Sequence, residues 1–414
     1  MPGQRVAGMH GDRLIADLTA LARIGANPAG GIDRPTYSKA YREAANWLKD
    51  TMSGAGLHVR EDAVGNVIGR IGPEGPAFVC GSHIDTVPQG GAYDGALGVL
   101  AGLECARVLL AEESRLNLAF EVVAFADEEG AYLSLLGSKA MTGALLPAEI
   151  DHTTGREGAT LHDALSSYGL DPARIADAAR PTSDLAGYVE LHIEQGPILE
   201  TENIDIGVVD SIFGIRSHVL TLTGVANHAG TTPLGVRQDA LRGAAEAIAD
   251  AFDAVSATQW KETRLTFGDV KVMSGASNVV PGLVRVVWEI RAGDKSAIDE
   301  IEKIVNQCFT ARAQEHRLGI QTALLGDNAP TVLSPVIAAS IEAACRNAGC
   351  TWRHTVSGAG HDAQSFAKIC DAGMVFVPSR NGVSHNPNEY TSPDHLRKGL
   401  DVLLRICRAK CERR

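Results

Sequence analysis

Histidine and acidic residues collect in this sequence where apolar runs end. "AFVC" leads straight into "GSHIDTVPQGGAYDG", which places His83, Asp85 and Asp94 just behind a strand-like segment. "LNLAFEVVAF" ends in Asp127, Glu128 and Glu129, "ELHIEQGPIL" carries His192, and "GVSHNPNEY" carries His385. Taken singly, each has an ordinary reading. A loop histidine is most often a surface or satisfied core residue, an aspartate opening a helix is most often an N-cap, and adjacent glutamates are most often solvated. The combination differs, because such groups are costly to bury beside apolar strands unless something pairs them. Three imidazoles and two carboxylates form the nitrogen and oxygen donor set that a pair of divalent metals requires. Two ions about 3.5 to 4 Å apart can share one carboxylate and hold a water, which then loses a proton near neutral pH.

The elements that must position these groups are legible as periodicities. Residues 36–53 have apolar positions at helical spacing, ended by Gly54 and Gly56. "EGPAFVCGSHID" and "LNLAFEVVAFADEEG" read as short buried strands, with a helix over "DGALGVLAGLECARVLLAEE" between them. A strand, helix, strand unit favours a parallel sheet under helical cover, where ligands gather beyond the carboxyl ends of the strands. From about Ser217 the texture becomes strand, helix, two strands, helix, strand, the order of a ferredoxin-like sandwich. After Pro330 come a helix near 335–348, a strand "AGMVFVP" and a closing helix from about 394. The expected fold class is α/β: a mixed, largely parallel sheet flanked by helices, formed by residues 1–215 and 330–414, with an inserted α+β domain over 216–329. Hinges are expected near 210–216 and 326–331.

Bulk properties set the remaining bounds. At 414 residues the chain is long for one core, and 45% hydrophobic with 21% charged residues is the composition of a globular protein. The formal net charge of −12 repels nucleic acid and anionic membrane, so a small-molecule partner is expected. The amino-terminal segment lacks the apolar core of a secretory signal and no window approaches a membrane span, so the expected location is cytoplasmic. The 8 cysteines contain no CxxC pair and read as packing thiols.

The motifs "GSHIDTVPQGGAYDGALGVLAGLE", "FADEEG", "ELHIEQGPILE", "GVANHAGTTPLGVRQDA", "SNVVPG", "WEIRA", "GAGHDAQ" and "GVSHNPNEYT" occur in an order, spanning nearly the whole chain, that resembles the M20 metallopeptidase superfamily. Within it they are similar to the hydantoinase/carbamoylase amidase group. The resemblance implies a catalytic domain of the zinc-peptidase type and two divalent ions, zinc first, with manganese, cobalt and nickel also suited. It implies that His83 and His192 hold one ion, Glu129 and His385 the other, and that Asp94 bridges them. Glu128 matches the general base, and Asp85 the carboxylate that orients the His83 imidazole. The inserted domain would pair two subunits into a homodimer and send His228 of "NHAG" to the partner's site as an oxyanion donor. Gln195, Arg216, Asn278, Arg291 and Gly360 fall where the group binds substrate, with Asn278 and Arg291 on a substrate carboxylate. One departure stands out: Tyr132 and Leu133 follow "EEG" where many members have Arg-Phe, which implies an altered substrate pocket.

The function expected from these residues is cleavage of a linear C–N bond in a carboxylate-bearing ureido or amide compound. The alternative is a peptidase or N-acyl-amino-acid deacylase with the same metals, against which "HIEQGPIL" and "NHAGTTP" weigh. A metal-stabilised binding protein with a spent site would lack a ligand or the base, and neither is missing. A nicotinamide or nucleotide enzyme is disfavoured because no GxGxxG or GxxxxGK[ST] follows the first strand.

Overall fold

The computed structural model describes residues 2–112, 115–151, 153–155, 158–260, 262–273 and 275–412. The chain divides into two compact units, one of Met1–Asp210, Leu333–Thr355 and Ala359–Arg414, the other of Ser211–Val332 and Val356–Gly358.

The first unit is built on a mixed sheet. Its strands lie in the spatial order His58–Glu61, Val67–Ile71, Ala119–Phe125, Ala77–His83, Leu185–Ile193, Ala372–Val377 and Ile206–Ile212. The four central strands run parallel, and the flanking ones antiparallel. Ala77–His83, Ala119–Phe125 and Ala372–Val377 are buried along their whole length, as expected of apolar runs covered on both faces. Parallel direction brings the carboxyl ends of these strands to one edge of the sheet: His83 lies opposite Phe125, and Phe376 opposite His192. That edge is where the acidic and histidine residues emerge.

Helices cover the sheet. Ala96–Ala111 is buried on nearly every side, and its glycines let it sit directly on the strands: a Cβ at Gly98 would come within 2.5 Å of the Leu191 carbonyl oxygen. Lys39–Gly54 buries Tyr41, Ala44, Ala45, Leu48 and Met52 on one stripe, and the Ser38 hydroxyl caps it by accepting from the Tyr41 N–H. Pro335–Ala348 and Pro393–Cys411 close the unit, near the positions their periodicity predicts.

Among the features not anticipated are a helix at Pro2–Leu21, the antiparallel strands His58–Glu61 and Val67–Ile71, the strands Ile206–Ile212 and Trp352–Ser357, and, last, the short helices Leu136–Met141 and Leu161–Tyr168. The last two are held by a satellite cluster of Val64, Leu136, Leu161, Leu165 and Ile175, not by a long periodic pattern of their own.

The second unit follows the expected element order. Strands Gly214–Thr223, Arg264–Val272, Leu283–Ala292 and Gly319–Asn328 alternate with helices Ala240–Ser256 and Lys295–Glu315. The sheet is antiparallel throughout, ordered fourth, first, third, second. Its core joins Leu220, Leu222, Val284, Val286, Trp288 and Ile290 to the alanine-rich face of Ala240–Ser256 and to Ile301, Val305 and Phe309. Asp239 and Asp294 cap the two helices by accepting backbone N–H groups.

Leu100 is fully buried in the helix that seats on the central strands. Leu100→Ala is expected to cost about 2 to 5 kcal/mol, read as a lowered denaturant midpoint at unchanged slope; an unchanged midpoint would contradict this packing.

Candidate metal centre

Strand ends and loops at the carboxyl edge of the parallel strands bring six side chains together. His83 ends its strand, and His192 is the penultimate residue of its own. Asp94 lies just ahead of the helix Ala96–Ala111, Glu128 and Glu129 lie just beyond Ala119–Phe125, and His385 lies in the loop before Pro393–Cys411.

Asp94 is the centre of the arrangement. Its Oδ1 lies 3.1 Å from His192 Nε2 and 3.5 Å from His83 Nε2, while its Oδ2 lies 3.2 Å from His385 Nε2. Glu129 Oε1 approaches the same His385 Nε2 at 3.3 Å, and Glu128 Oε2 approaches His83 Nε2 at 3.6 Å. Ligand atoms of His83, Asp94 and His192 fall within 4.8 Å of one another, as do those of Asp94, Glu129 and His385. The two sets share Asp94, one through each oxygen.

The imidazoles are set for coordination. His83 Nδ1 lies 3.0 Å from the Asp85 carbonyl oxygen, and His192 Nδ1 lies 2.9 Å from the Ile193 carbonyl oxygen. In both rings Nδ1 therefore donates, and Nε2 faces inward toward Asp94, the atom a metal would take once its proton is lost. The sequence points to the Asp85 carboxylate as the group that orients His83. The carboxylate is 3.6 Å from Nδ1, behind the backbone carbonyl of the same residue, and its Oδ2 accepts the Glu129 N–H at 3.1 Å. Asp85 thus joins the His83 strand to the glutamate pair. Just after His83, the buried Arg34 guanidinium donates to the carbonyls of Ile84, Leu21 and Ile24 and fixes the strand end.

The electrostatics follow from burial and mutual contact. Burial alone would raise Asp94, but the hydrogen bonds of His192, His385 and His83 hold it well below the usual carboxylate range. Burial raises Glu128 well above its ordinary value, and Glu129, Asp362 and Asp85 add to this against the pull of His83. Hydrogen bonds to Asp94 and then Glu129 raise His385 to about 10. Asp94, Glu128 and the nearby Asp85 are buried carboxylates that two divalent cations would offset, and the inward-facing Nε2 atoms, once deprotonated, would complete a nitrogen and oxygen donor set suited to such ions.

Several further residues support the site, of which Glu389 and Ser384 are not singled out in the sequence. Asp127 adopts a left-handed backbone at φ 59° and accepts from the N–H groups of Ala131, Tyr132 and Leu133, which folds the glutamate loop back on itself. Glu389 accepts from the Tyr93 and Asp94 N–H groups, and Ser384 Oγ lies 3.0 Å from Asp94 Oδ2. His361 packs edge-on against His192 at 4.5 Å between ring centroids. Burial lowers His361 and raises its neighbour Asp362.

The remaining candidates distribute as follows. Gln195 Nε2 donates to Asp94 Oδ2 at 2.9 Å and so lies at the metal ligands themselves. Gly360 precedes His361 in a loop where Gln364 Oε1 accepts the His361 N–H. In the second unit, His228 and Asn278 are neighbours: Ala229 N–H donates to the Asn278 carbonyl, and His228 pairs with Val279. The N–H groups of Gly230 and Thr231 donate to His228 Nδ1, which leaves the proton on Nε2. Arg216 pairs with Asp327 through two nitrogens and reaches Asp299 and Glu302 with a third. Arg291, bonded to Glu289, lies across from Ile215, and Arg216 across from Ile290, so the two arginines face opposite sides of the sheet. Tyr132 and Leu133 pack into the satellite cluster with Tyr37 and Leu145. A further grouping of Glu246, Glu315 and His316 is neutralised by Arg242 and Arg312.

The model of peptidase family M20/M25/M40 matches residues 79–409. The N-carbamoyl-L-amino-acid amidohydrolase of Paenarthrobacter aurescens is 39% identical over 407 residues, covering 96% of this chain and 97% of that protein. The allantoate amidohydrolase of Escherichia coli (strain K12) is 35% identical over 395 residues, covering 92% of this chain and 94% of that protein. Among solved structures, a hydantoinase/carbamoylase family amidase from Burkholderia ambifaria superposes with a TM-score of 0.89 at 31% identity, covering 98% of each chain.

Because the carboxylates hold His385 protonated at neutral pH in the metal-free chain, loading with a divalent ion is expected to release protons. Calorimetric titrations in buffers of different ionisation enthalpy should give different apparent heats, and apparent affinity should fall as pH is lowered. Heats independent of buffer would contradict His385 as a ligand.

Proposed function

Given that the chain belongs to peptidase family M20/M25/M40, we propose that it is a dinuclear-metal amidohydrolase that cleaves a C–N bond in a linear, carboxylate-bearing ureido or amide substrate, such as an N-carbamoyl-amino acid or allantoate. The observation that carries this reading is the division of Asp94, whose Oδ1 faces His83 and His192 and whose Oδ2 faces His385. The names of the relatives, amidohydrolases of N-carbamoyl-L-amino acids and of allantoate, support the substrate class and weigh against a peptidase or deacylase.

In this reading His83 and His192 hold one divalent ion, Glu129 and His385 the other, and Asp94 both. Two ions in these positions supply Lewis acidity and lower the pKa of water. In this reading Glu128 is not a ligand and stands beside the first set, with a carboxyl raised by burial, the direction that favours holding and releasing a proton. It takes the proton of the attacking water and delivers it to the nitrogen that departs. Attack at a carbamoyl carbon then yields the amine and a carbamate, which decays to carbon dioxide and ammonia.

The second unit supplies recognition. Arg291 and Asn278 hold the substrate carboxylate, and the Nε2–H of His228 donates to the developing oxyanion in the partner subunit's site, which requires a homodimer. Arg216, bound to Asp327, Asp299 and Glu302, stabilises the unit that carries them. Gln195 orients Asp94 as well as any bound substrate. Tyr132 and Leu133, which stand where many members have Arg-Phe, pack against the satellite cluster beside the glutamate loop, and in this reading they alter the substrate pocket through that loop. Among the described residues no helix is long and apolar enough to cross a membrane.

The direct test is a screen of the metal-reconstituted protein against N-carbamoyl-amino acids, allantoate, ureidopropionate, N-acyl-amino acids and dipeptides, scored for ammonia and free amine. Ammonia release from the ureido compounds is expected; turnover confined to dipeptides would overturn the assignment. Glu128→Gln is expected to lower kcat by about 10² to 10⁴ with metal content unchanged, and full activity in that variant would exclude the proposed base. Chelation should abolish turnover, and re-addition of zinc, manganese, cobalt or nickel should restore it.

A further inference from the structure

The loop bearing Asp94 and the loop bearing His385 are joined by one buried carboxylate that belongs to neither metal set. Glu389 is 5% exposed. Its Oε1 accepts the Tyr93 N–H at 2.8 Å and the Asp94 N–H at 3.1 Å, and its Oε2 lies 3.1 Å from Ser384 Oγ. Ser384 Oγ lies 3.0 Å from Asp94 Oδ2 and immediately precedes His385 in sequence. One side chain therefore spans the backbone of Asp94 and the residue next to His385, nearly three hundred positions away in the chain.

Two further details show that the surroundings are shaped around it. A Cβ at Gly91 would fall 2.1 Å from Glu389 Cδ and Oε1, so the first loop admits this carboxylate only because position 91 is glycine. His385 holds a left-handed backbone at φ 53°, a conformation that a non-glycine residue keeps only where neighbouring contacts impose it. The Glu389 N–H donates to the Asn386 carbonyl at 3.0 Å and closes the turn that carries His385.

We propose that Glu389 is a positioning residue that sets the separation of Asp94 and His385 and so determines the affinity of the Asp94, Glu129 and His385 set for its ion. This rests on the two-ion reading above. The Ser384 hydroxyl has one proton for two carboxylates, and a glutamine at 389 resolves the competition. Its amide oxygen accepts the Tyr93 and Asp94 N–H groups, and its nitrogen donates to Ser384, which then donates to Asp94.

The test is calorimetric titration of the metal-free full chain with zinc, comparing wild type with Glu389→Ala, Glu389→Gln and Gly91→Ala. Wild type is expected to bind two ions per chain. In Glu389→Ala one ion should keep wild-type affinity while the other weakens about 10- to 100-fold, the scale of losing a residue that orients metal ligands. Gly91→Ala, which displaces Glu389 without altering it, should do the same, and Glu389→Gln should restore both affinities. Two ions at wild-type affinity in Glu389→Ala would overturn the proposal; if that variant does not fold, Gly91→Ala decides by the same criterion. A wild-type chain that binds fewer than two ions would instead sink the two-ion reading, which separates that failure from a failure of Glu389.

Discussion

The site depends on how one buried carboxylate is shared. Asp94 is almost enclosed, yet it is kept ionised because three imidazoles converge on it, two at one oxygen and one at the other. An isolated carboxylate in that position would neutralise itself by taking up a proton. The divided coordination both keeps it charged and separates the pocket into two donor sets. Everything around it can be understood as fixing that division: backbone carbonyls set the His83 and His192 tautomers, Asp85 ties the histidine strand to the Glu129 backbone, and Gln195 and Ser384 approach the second oxygen.

The fold supplies the convergence through strand direction. Because Ala77–His83, Ala119–Phe125, Leu185–Ile193 and Ala372–Val377 run parallel, their carboxyl ends open at one edge, where the strand ends carry His83 and His192 and the loops that follow carry Asp94, Glu129 and His385. Antiparallel central strands would have dispersed these loops to opposite edges. The helix Ala96–Ala111 makes the close approach possible, with Gly98 against the Leu191 backbone, and brings Asp94 over the strand ends.

Much of this was legible in the sequence because the relevant signals are local. Buried parallel strands are continuous apolar runs, so "AFVC" and "AFEVVAF" declare themselves, and polar residues at their ends are conspicuous for the cost of burying them. The strand and helix order of the second unit was equally plain, from the period-two alternation of its strands. What was not legible depends on tertiary partners. The short helices near 136 and 161 exist because a satellite cluster holds them, and edge strands as short as His58–Glu61 carry too few residues for a pattern. The ion pairs of Arg216 with Asp327, Asp299 and Glu302 depend on strand register, which sets Arg216 opposite Ile290, and no sequence pattern announces them. Glu389 was hidden because its partners are backbone amides, which leave no residue-type signature.

The most direct measurement is anomalous diffraction at the metal edge from crystals of the loaded protein. The account predicts two peaks about 3.5 to 4 Å apart, with Asp94 contributing one oxygen to each. A single peak, or two peaks with Asp94 bound to only one, would contradict it.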